Sequence, residues 1–376
     1  MKTRTQLILS VALGTMTLLF HGCAKSNEAT TPPATNAAPP QAGPPGDVYT
    51  VWFATDRKPT GQATKRGFSA ERNIDTTYGH VNVFVPKAHR FGETGNNLAK
   101  RLLRGELHDD HLRIQDTALL NRDPFYGEIR QAVKAAVDDG NESQALVFLH
   151  GFNVTFEEAA IRSAQVGFDL KVPGPTAFFS WPSAGSPLLS DYRSDEQSIV
   201  ASEQAIADFL VEFSQRSGAS NINLIAHSMG NRGLLHALQR IATNAQSRAQ
   251  VKFNQIFLAA PDVGRDEFLK VAQVYSQFSK RTTLYTSNGD LPVHLSAVIH
   301  DGPRAGYFKP YTVAPGIDTI SVPDFDIDML GHSYFAQADA LLYDIRSLII
   351  HSEAPKIRSR ISPANEDGMD FWQLRR

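Results

Sequence analysis

The sequence predicts an α/β fold in which helices cover both faces of a mostly parallel central sheet. Continuous apolar runs such as ALVFL at 145–149 are typical of strands that are buried on both faces. Segments with a helical period lie between these runs, and such alternation favours a parallel sheet with right-handed crossovers. The hydrophobic residues, 42% of the 376-residue chain, are enough for a sizeable buried core.

The strands are assigned from short apolar or alternating segments bounded by turn residues. Going along the chain, the predicted strands are Tyr49–Thr55, His80–Val85, Ala145–Leu149, Thr176–Trp181, Ile222–Ala226, Gln255–Ala260, Arg281–Thr286 and Asp318–Val322.

Capping residues predict where two of the intervening helices begin. Thr155 with Glu158 forms a capping box, in which each residue satisfies a free backbone N–H of the first turn. Ser194 with Gln197 predicts in the same way the start of a long helix, which Gly218 ends.

The first 47 residues are expected to export and tether the protein. Residues 1–22 resemble a signal peptide, with a positive start and an apolar run from Leu7 to Phe20 that is too short to span a bilayer. Cys23, the single cysteine, follows Gly22 as the lipidated cysteine of a bacterial lipobox does. An ordinary secretory signal with a chance cysteine is the alternative.

The segment after this cysteine is expected to be a tether. Residues 23–47 are small, polar and rich in proline, a composition that cannot bury apolar surface and predicts a disordered linker. The expected location is the periplasmic side of the bacterial envelope. The outer membrane is favoured because Ala24 is not the aspartate associated with inner-membrane retention.

The rest of the chain is expected to form one domain over residues 48–352. Within it, residues 89–123 are polar and poorly patterned and predict an irregular insertion, and residues 353–376 predict a polar tail. The net charge of −2 without a long basic run argues against nucleic acid as a partner. One cysteine excludes an intramolecular disulfide framework and a cysteine-based zinc site.

A nucleophile elbow, the strand–turn–helix motif G-x-S-x-G, is predicted at Ala226–Gly230, which reads AHSMG. It follows an apolar strand and opens a helix that contains Leu234, Leu235 and Leu238. Alanine in the first glycine position adds only one methyl group to the turn. The motif predicts Ser228 as a nucleophile that projects beyond the sheet.

A serine nucleophile needs a base, and the base needs an acid to orient it. With this elbow the three residues occur in the chain order serine, acid, histidine. Asp290 follows the second strand after the elbow, and His332 follows the last strand. Both come at the carboxyl ends of parallel strands, where open α/β sheets place their sites. We therefore predict Ser228, Asp290 and His332 as a catalytic triad.

Other candidate residues have less of the expected context. Asp262 follows the strand next to the elbow and stays open as an alternative acid. His294 and His300 are poorer candidates for the base because they precede the final strand. The run HDDH at 108–111 has histidines at i and i+3 but no further ligand cluster, so a solvated loop is favoured over a metal site.

The loop after the first buried strand is expected to complete an oxyanion hole. It reads HGFN at residues 150–153, and an HG-x turn there directs a backbone N–H toward a substrate carbonyl. We predict the N–H groups of Phe152 and Met229 as the two donors. His150 is expected to be a structural histidine.

Five motifs in this order resemble one known family, the bacterial α/β-hydrolases of unknown function, whose members are often described as esterases or lipoproteins. They are HGFN at His150–Asn153, FSWPSAG at Phe179–Gly185, AHSMGN at Ala226–Asn231, LAAPDV at Leu258–Val263 and GHSYF at Gly331–Phe335. The resemblance implies the α/β-hydrolase fold, the triad named above and no metal or organic cofactor. It does not supply a substrate.

The resulting hypothesis is a membrane-tethered serine hydrolase that cleaves carboxylic esters, small or lipid, through an acyl-enzyme. The membrane contact would be the lipid anchor on Cys23. Transfer of the acyl group to an envelope acceptor is one alternative, because the same triad would serve it. A catalytically silent envelope interaction module is the other.

Overall fold

The structure is a computed structural model that describes residues 45–61, 67–96, 101, 105, 108–287, 291–307, 309–323 and 339–375. Eleven strands within these residues form one sheet. The strands are β1 (Gly46–Pro59), β2 (Phe68–Pro86), β3 (Arg113–Leu120), β4 (Gln144–Leu149), β5 (Thr176–Ser180), β6 (Asn221–His227), β7 (Phe253–Ala259), β8 (Ser279–Thr286), β9 (Ile317–Ser321), β10 (Ile361–Glu366) and β11 (Met369–Leu374).

The helices connect these strands or follow them. They are α1 (Arg122–Asp138), α2 (Phe156–Leu170), α3 (Leu189–Arg216), α4 (Gly230–Thr243), α5 (Ala245–Gln250), α6 (Arg265–Val271), α7 (Val274–Phe278), α8 (Leu291–Ile299) and α9 (Asp339–His351). In the described part of the chain, no helix combines the length and the apolar character needed to cross a membrane.

The sheet order is β10-β11-β9-β8-β7-β6-β4-β5-β1-β2-β3. The strands from β11 to β1 in this order pair in parallel, whereas β2, β3 and β10 are antiparallel to their neighbours at the two edges. The predicted fold class, a mostly parallel sheet with helices, is confirmed.

The central strands are buried on both faces because helices cover both. In β4, Val147 and Leu149 belong to a core shared with α1, α3 and α4. Their neighbours Leu146 and Phe148 point the other way, into a core shared with α2 and α9. This alternation explains why β4 is apolar at consecutive positions.

One of the two predicted helix starts is confirmed. The Thr155 side chain accepts a hydrogen bond from the Glu158 N–H, and the reciprocal bond is also present, so the capping box is formed. The predicted start at Ser194 is wrong, because α3 already begins at Leu189. The buried stripe of this helix extends back to Tyr192, and packing of that ring keeps the first turn helical.

The domain boundaries need two smaller corrections. β1 begins at Gly46, which pairs with Pro86, so the fold starts two residues before the predicted domain start at 48. The predicted insertion at 89–123 contains β3, an edge strand paired with β2, and the first residues of α1. Residues 1–44, which include the predicted signal peptide and Cys23, lie outside the described residues.

The prediction of a polar tail at 353–376 is wrong, because this segment contains the hairpin of β10 and β11, and β11 pairs with β9. Asp367 and Gly368 make the turn with φ values of 53° and 75°. Asp-Gly is a preferred two-residue hairpin turn because both positions need positive φ. Phe371 and Leu374 are the buried residues of β11.

A buried ionic cluster fixes the segment that leads into this hairpin. Arg358 forms a two-bond ion pair with Asp344 of α9, with its Nε 3.0 Å from Oδ1. The Tyr285 hydroxyl donates to the same carboxylate at 2.8 Å. Asp344 and Arg358 are almost completely buried, so each charge depends on the other for compensation.

We expect Arg358→Met to lower the free energy of unfolding by about 3–5 kcal/mol, because it leaves the Asp344 carboxylate buried without its cation. The double variant Asp344→Leu/Arg358→Met should recover most of this loss. Urea unfolding of the two variants and the wild type is the measurement. A single variant as stable as the double variant would contradict the inferred compensation.

Candidate active site

The turn after β6 has the predicted elbow geometry. Ser228 follows the buried strand directly and has φ = 51°, in the left-handed region, and α4 begins two residues later at Gly230. The Ser228 N–H donates to the carbonyl of Ala259 on β7 at 2.9 Å. A non-glycine residue with this φ is strained, so the surrounding contacts must hold it in place.

The buried side chain of Asn231 supplies part of this support. Its Nδ2 donates to the carbonyl of Ala226 at 2.9 Å and to that of Ser228 at 3.2 Å. A third contact of Nδ2, also 3.2 Å long, reaches the Ala259 carbonyl on β7. One amide group thereby ties the two ends of the turn to the neighbouring strand.

The loop after β4 lies directly against the elbow. A Cβ at Gly151 would be 2.8 Å from the Ser228 Cβ, and a Cβ at Gly230 would be 2.4 Å from the His150 carbonyl oxygen. Both distances are shorter than side chains tolerate, so glycine at these positions permits the close approach.

This contact brings the predicted oxyanion donors to the nucleophile. Phe152 follows Gly151, and its ring packs edge-on against Tyr192 with 5.2 Å between centroids. Met229 is fully buried and is the N-cap residue of α4, where the helix presents unpaired N–H groups and a partial positive charge. In the described turns and loops, neither amide donates to a backbone carbonyl. Their role as oxyanion donors stays a prediction.

His150 is held as a neutral, structural histidine. Its Nδ1 donates to the Gly151 carbonyl at 2.9 Å, so Nε2 faces the Ser180 hydroxyl, 3.3 Å away, as an acceptor. The ring stacks on Trp181, whose Nε1 donates to the His150 carbonyl at 2.9 Å. Burial, together with the nearby Arg57 charge, lowers the pKa of His150 to about 3.

Asp262, the alternative acid, is engaged by other residues. Its carboxylate accepts from the Tyr192 hydroxyl at 2.6 Å and from the Ser296 hydroxyl at 2.5 Å, and Nε of Arg304 lies 3.3 Å away. The Asp262 N–H donates to the Ser228 carbonyl at 3.2 Å. Asp262 therefore joins the elbow to α3 and α8 in the structure.

The predicted acid Asp290 and the predicted base His332 lie outside the described residues, as does Cys23. The histidines considered as poorer bases are described. His300 lies between the Ser296 carbonyl, 2.9 Å away, and the Glu196 carboxylate, 2.6 Å away. The exposed His294 packs against Tyr307.

The run HDDH at 108–111 forms an ionic cluster with basic neighbours. Asp109 lies 2.9 Å from Arg113 and 2.8 Å from the His111 ring. Asp110 accepts from the backbone and the side chain of Asn96. These acceptors are already satisfied by the protein's own donors.

Sequence reasoning missed three buried polar residues around the site, Arg57, Tyr192 and Asp195. Tyr192 and Asp195 lie on the apolar stripe of α3, together with Ile199. A tyrosine and a carboxylate on a stripe that should be apolar could have predicted a buried polar network, since buried polar groups need hydrogen-bond partners.

The fold and the elbow define the class of this protein: a serine nucleophile turn between a buried parallel strand and a helix is the arrangement of α/β hydrolases. The family described as alpha/beta hydrolase of unknown function (DUF900) matches residues 127–351, more than half of the chain. The chain belongs to this family.

A curated relative matches the chain over a short segment. The uncharacterized protein alr1448 of Nostoc sp. is 32% identical over a segment that covers 24% of this chain and 28% of that protein. The chain thus matches less than a third of that relative's length.

Several solved structures align with the chain at low similarity. Dienelactone hydrolase from Anabaena variabilis is 11% identical, with 74% of this chain and 92% of that chain covered and a TM-score of 0.32. Esterase B from Lactobacillus rhamnosis is 14% identical, with 78% and 80% covered and a TM-score of 0.33. An uncharacterized protein from Bacillus cereus is 12% identical, with 56% and 60% covered and a TM-score of 0.34. Values this low say nothing about the substrate.

We expect His150 to make the protein less stable in mild acid. Its folded pKa is lowered, so the unfolded chain binds a proton more readily between its pKa of about 6.5 and the folded value. The contribution of His150 is therefore complete above pH 6.5 and is lost as the pH falls. From pH 7 to pH 5 the loss should be about 2 kcal/mol.

Urea unfolding at both pH values is the measurement, with His150→Gln as the variant and the exposed His351→Gln as the matched control. The pH-dependent loss should shrink in His150→Gln and stay at the wild-type value in His351→Gln. An equal loss in all three proteins would show that His150 does not titrate as inferred.

Proposed function

We propose that this α/β hydrolase is a serine hydrolase that cleaves carboxylic esters through an acyl-enzyme. One observation carries the proposal: Ser228 has left-handed backbone geometry between a buried strand and a helix N-terminus, with Gly151 in contact with it. This geometry holds the Ser228 hydroxyl beside two loops that carry candidate oxyanion donors, the arrangement that acyl transfer requires.

In the proposed reaction, Ser228 Oγ attacks the acyl carbon while His332 takes the hydroxyl proton and Asp290 orients the imidazole. The N–H groups of Phe152 and Met229 stabilise the oxyanion. His332 then protonates the leaving alcohol, and a water molecule, deprotonated by the same histidine, hydrolyses the acyl-enzyme.

The strand register supports Asp290 and His332 as partners of Ser228. His227, the residue before the nucleophile, pairs with Ala259, which pairs with Tyr285, which pairs with Ile320. These pairs form one row across β6, β7, β8 and β9, and all four strands point the same way. The strands that precede the proposed acid and the proposed base therefore end at the same edge of the sheet as the strand that precedes Ser228.

We further propose that the protein is exported and anchored through a lipid on Cys23, on the periplasmic side of the envelope, with the outer membrane favoured. The support is the order of segments in the sequence: a positive start, a 14-residue apolar run, and a cysteine followed by a proline-rich linker. The substrate would then be a small or lipid ester within reach of the tether.

We expect Ser228→Ala and His332→Ala to reduce kcat/KM on aryl esters by about 10⁴- to 10⁶-fold, and Asp290→Asn by about 10⁴-fold. Thermal unfolding should change little. Ser190→Ala, an exposed serine at the start of α3, is the matched control and should keep full activity.

The same assay separates the alternatives. If Asp290→Asn keeps full activity and a folded Asp262→Asn is inactive, Asp262 and not Asp290 is the acid of the triad. Acyl transfer would be revealed by acylated glycan or lipid products when such acceptors are added. Failure of a fluorophosphonate to label Ser228 in the wild type would favour a silent interaction module.

Gly151→Ala tests the close approach itself. The added methyl group would lie 2.8 Å from the Ser228 Cβ and must displace the loop or the elbow. We expect the rate of Ser228 labelling by a fluorophosphonate to fall at least about 100-fold, because small displacements of a reacting group have effects of this size.

Gly127→Ala on α1 is the matched control, since its methyl group would meet only the Arg130 side chain at 4.0 Å. It should label at the wild-type rate. Unchanged labelling of Gly151→Ala would contradict the role of the close approach.

A further inference from the structure

The loop after β4, which packs against Ser228, and the loop after β5 share one buried carboxylate, that of Asp195 on α3. Its Oδ2 accepts from the Ser183 hydroxyl at 2.5 Å and lies 3.5 Å from the Asn153 N–H, and its Oδ1 accepts from the Ala184 N–H at 2.8 Å. The hydroxyl oxygen of Ser183 in turn accepts a hydrogen bond from the Val154 N–H at 3.1 Å. Asp195 therefore joins the loop after β4 to the loop after β5.

Arg57 of β1 holds the same two loops by their carbonyl groups. Its Nη2 donates to the Val154 carbonyl at 2.7 Å, and its Nη1 donates to the Ser183 carbonyl at 2.9 Å. Its Nε donates to the Ser180 hydroxyl at 2.9 Å, and that hydroxyl faces Nε2 of His150.

The two charges compensate each other within the protein. Both side chains are about 1% exposed, and Ser183 bridges them, since its carbonyl contacts Arg57 and its hydroxyl contacts Asp195. Burial lowers the pKa of Arg57 to about 10, so the guanidinium stays protonated at neutral pH. A buried ion of this kind is costly unless its contacts are well made.

In the loop after β4, these bonds reach the two residues that follow Phe152, namely Asn153 and Val154. On one side, Gly151 touches Ser228. On the other, Asn153 has φ = 58°, a left-handed conformation that needs support, and its N–H faces Asp195. Phe152 thus lies between a residue packed against Ser228 and a residue whose N–H faces Asp195.

We propose that Asp195 and Arg57 are positioning residues, which act through Ser183 and Val154 to hold the Phe152 N–H for the oxyanion. This inference rests on the proposed hydrolase function. Neither side chain touches the substrate. They keep a strained loop in the conformation that the transition state needs, so that no reorganisation is required during the reaction.

The test is steady-state kinetics of the full-length protein on an aryl ester, for the wild type, Asp195→Ala, Asp195→Asn and the control Asp208→Ala. The control residue lies on the same helix, is exposed and bonds only Gln204 among the described residues. We expect Asp195→Ala to lower kcat about 100-fold, the size of losing one oxyanion donor, with KM changed less than about threefold.

Two readouts distinguish positioning from a merely structural role. Asp195→Asn should recover activity to within about tenfold of the wild type, because its amide oxygen can still accept from Ser183 or Ala184. The preference for an oxo ester over the matching thiono ester should fall about 100-fold in Asp195→Ala, since this ratio reports on oxyanion hydrogen bonds.

The possible outcomes distinguish the positioning role from its alternatives. Wild-type kcat in a folded Asp195→Ala, or an unchanged oxo-to-thiono preference, overturns the positioning role. Loss of cooperative unfolding in both Asp195 variants also overturns it, because the network would then serve the fold alone. Ser228→Ala is measured beside them: if it is as active as the wild type, the hydrolase function has failed, whatever the Asp195 variants do.

Discussion

The site depends on one close approach, in which the backbone of the loop after β4 touches the elbow after β6. The two strands are neighbours, so their continuations run over each other at the edge of the sheet. Gly151 and Gly230 allow contact where any side chain would collide with Ser228 or with the His150 carbonyl. The strained serine and the strained loop can then support each other.

Side chains of the long helix α3 form hydrogen bonds with several of the loops around this contact. Successive polar residues on its buried side reach different parts of the site: Tyr192 bonds Asp262 behind the elbow, and Asp195 bonds Ser183 in the loop after β5. Both residues lie on the buried stripe of α3, where apolar side chains are usual. The helix thus exchanges some hydrophobic contact for hydrogen bonds that fix loop geometry.

Local patterns in the sequence were sufficient for the central strands, for the capping box at Thr155 and for the elbow at Ser228, because short-range sterics and hydrogen bonds decide each of them. The helix start at Leu189 escaped prediction, since packing of the first turn outweighed a better capping sequence further on. The C-terminal hairpin was missed although Asp367 and Gly368 are a strong turn signal. Its polar strands resemble a disordered tail in the sequence. They become ordered only when β11 pairs with β9 and their few apolar residues are buried.

The sequence by itself determined the fold class, the order of the strands along the chain and the serine at the turn of the elbow, since these follow from residues close together in the chain. Only the tertiary structure decided which distant polar groups meet. Nothing in the sequence pairs Arg57 with Asp195, which lie 138 positions apart. They become one network because the sheet order places β1, β5 and β4 side by side and α3 packs across them. A hydrogen bond forms between atoms that are adjacent in space, and no local pattern records that adjacency.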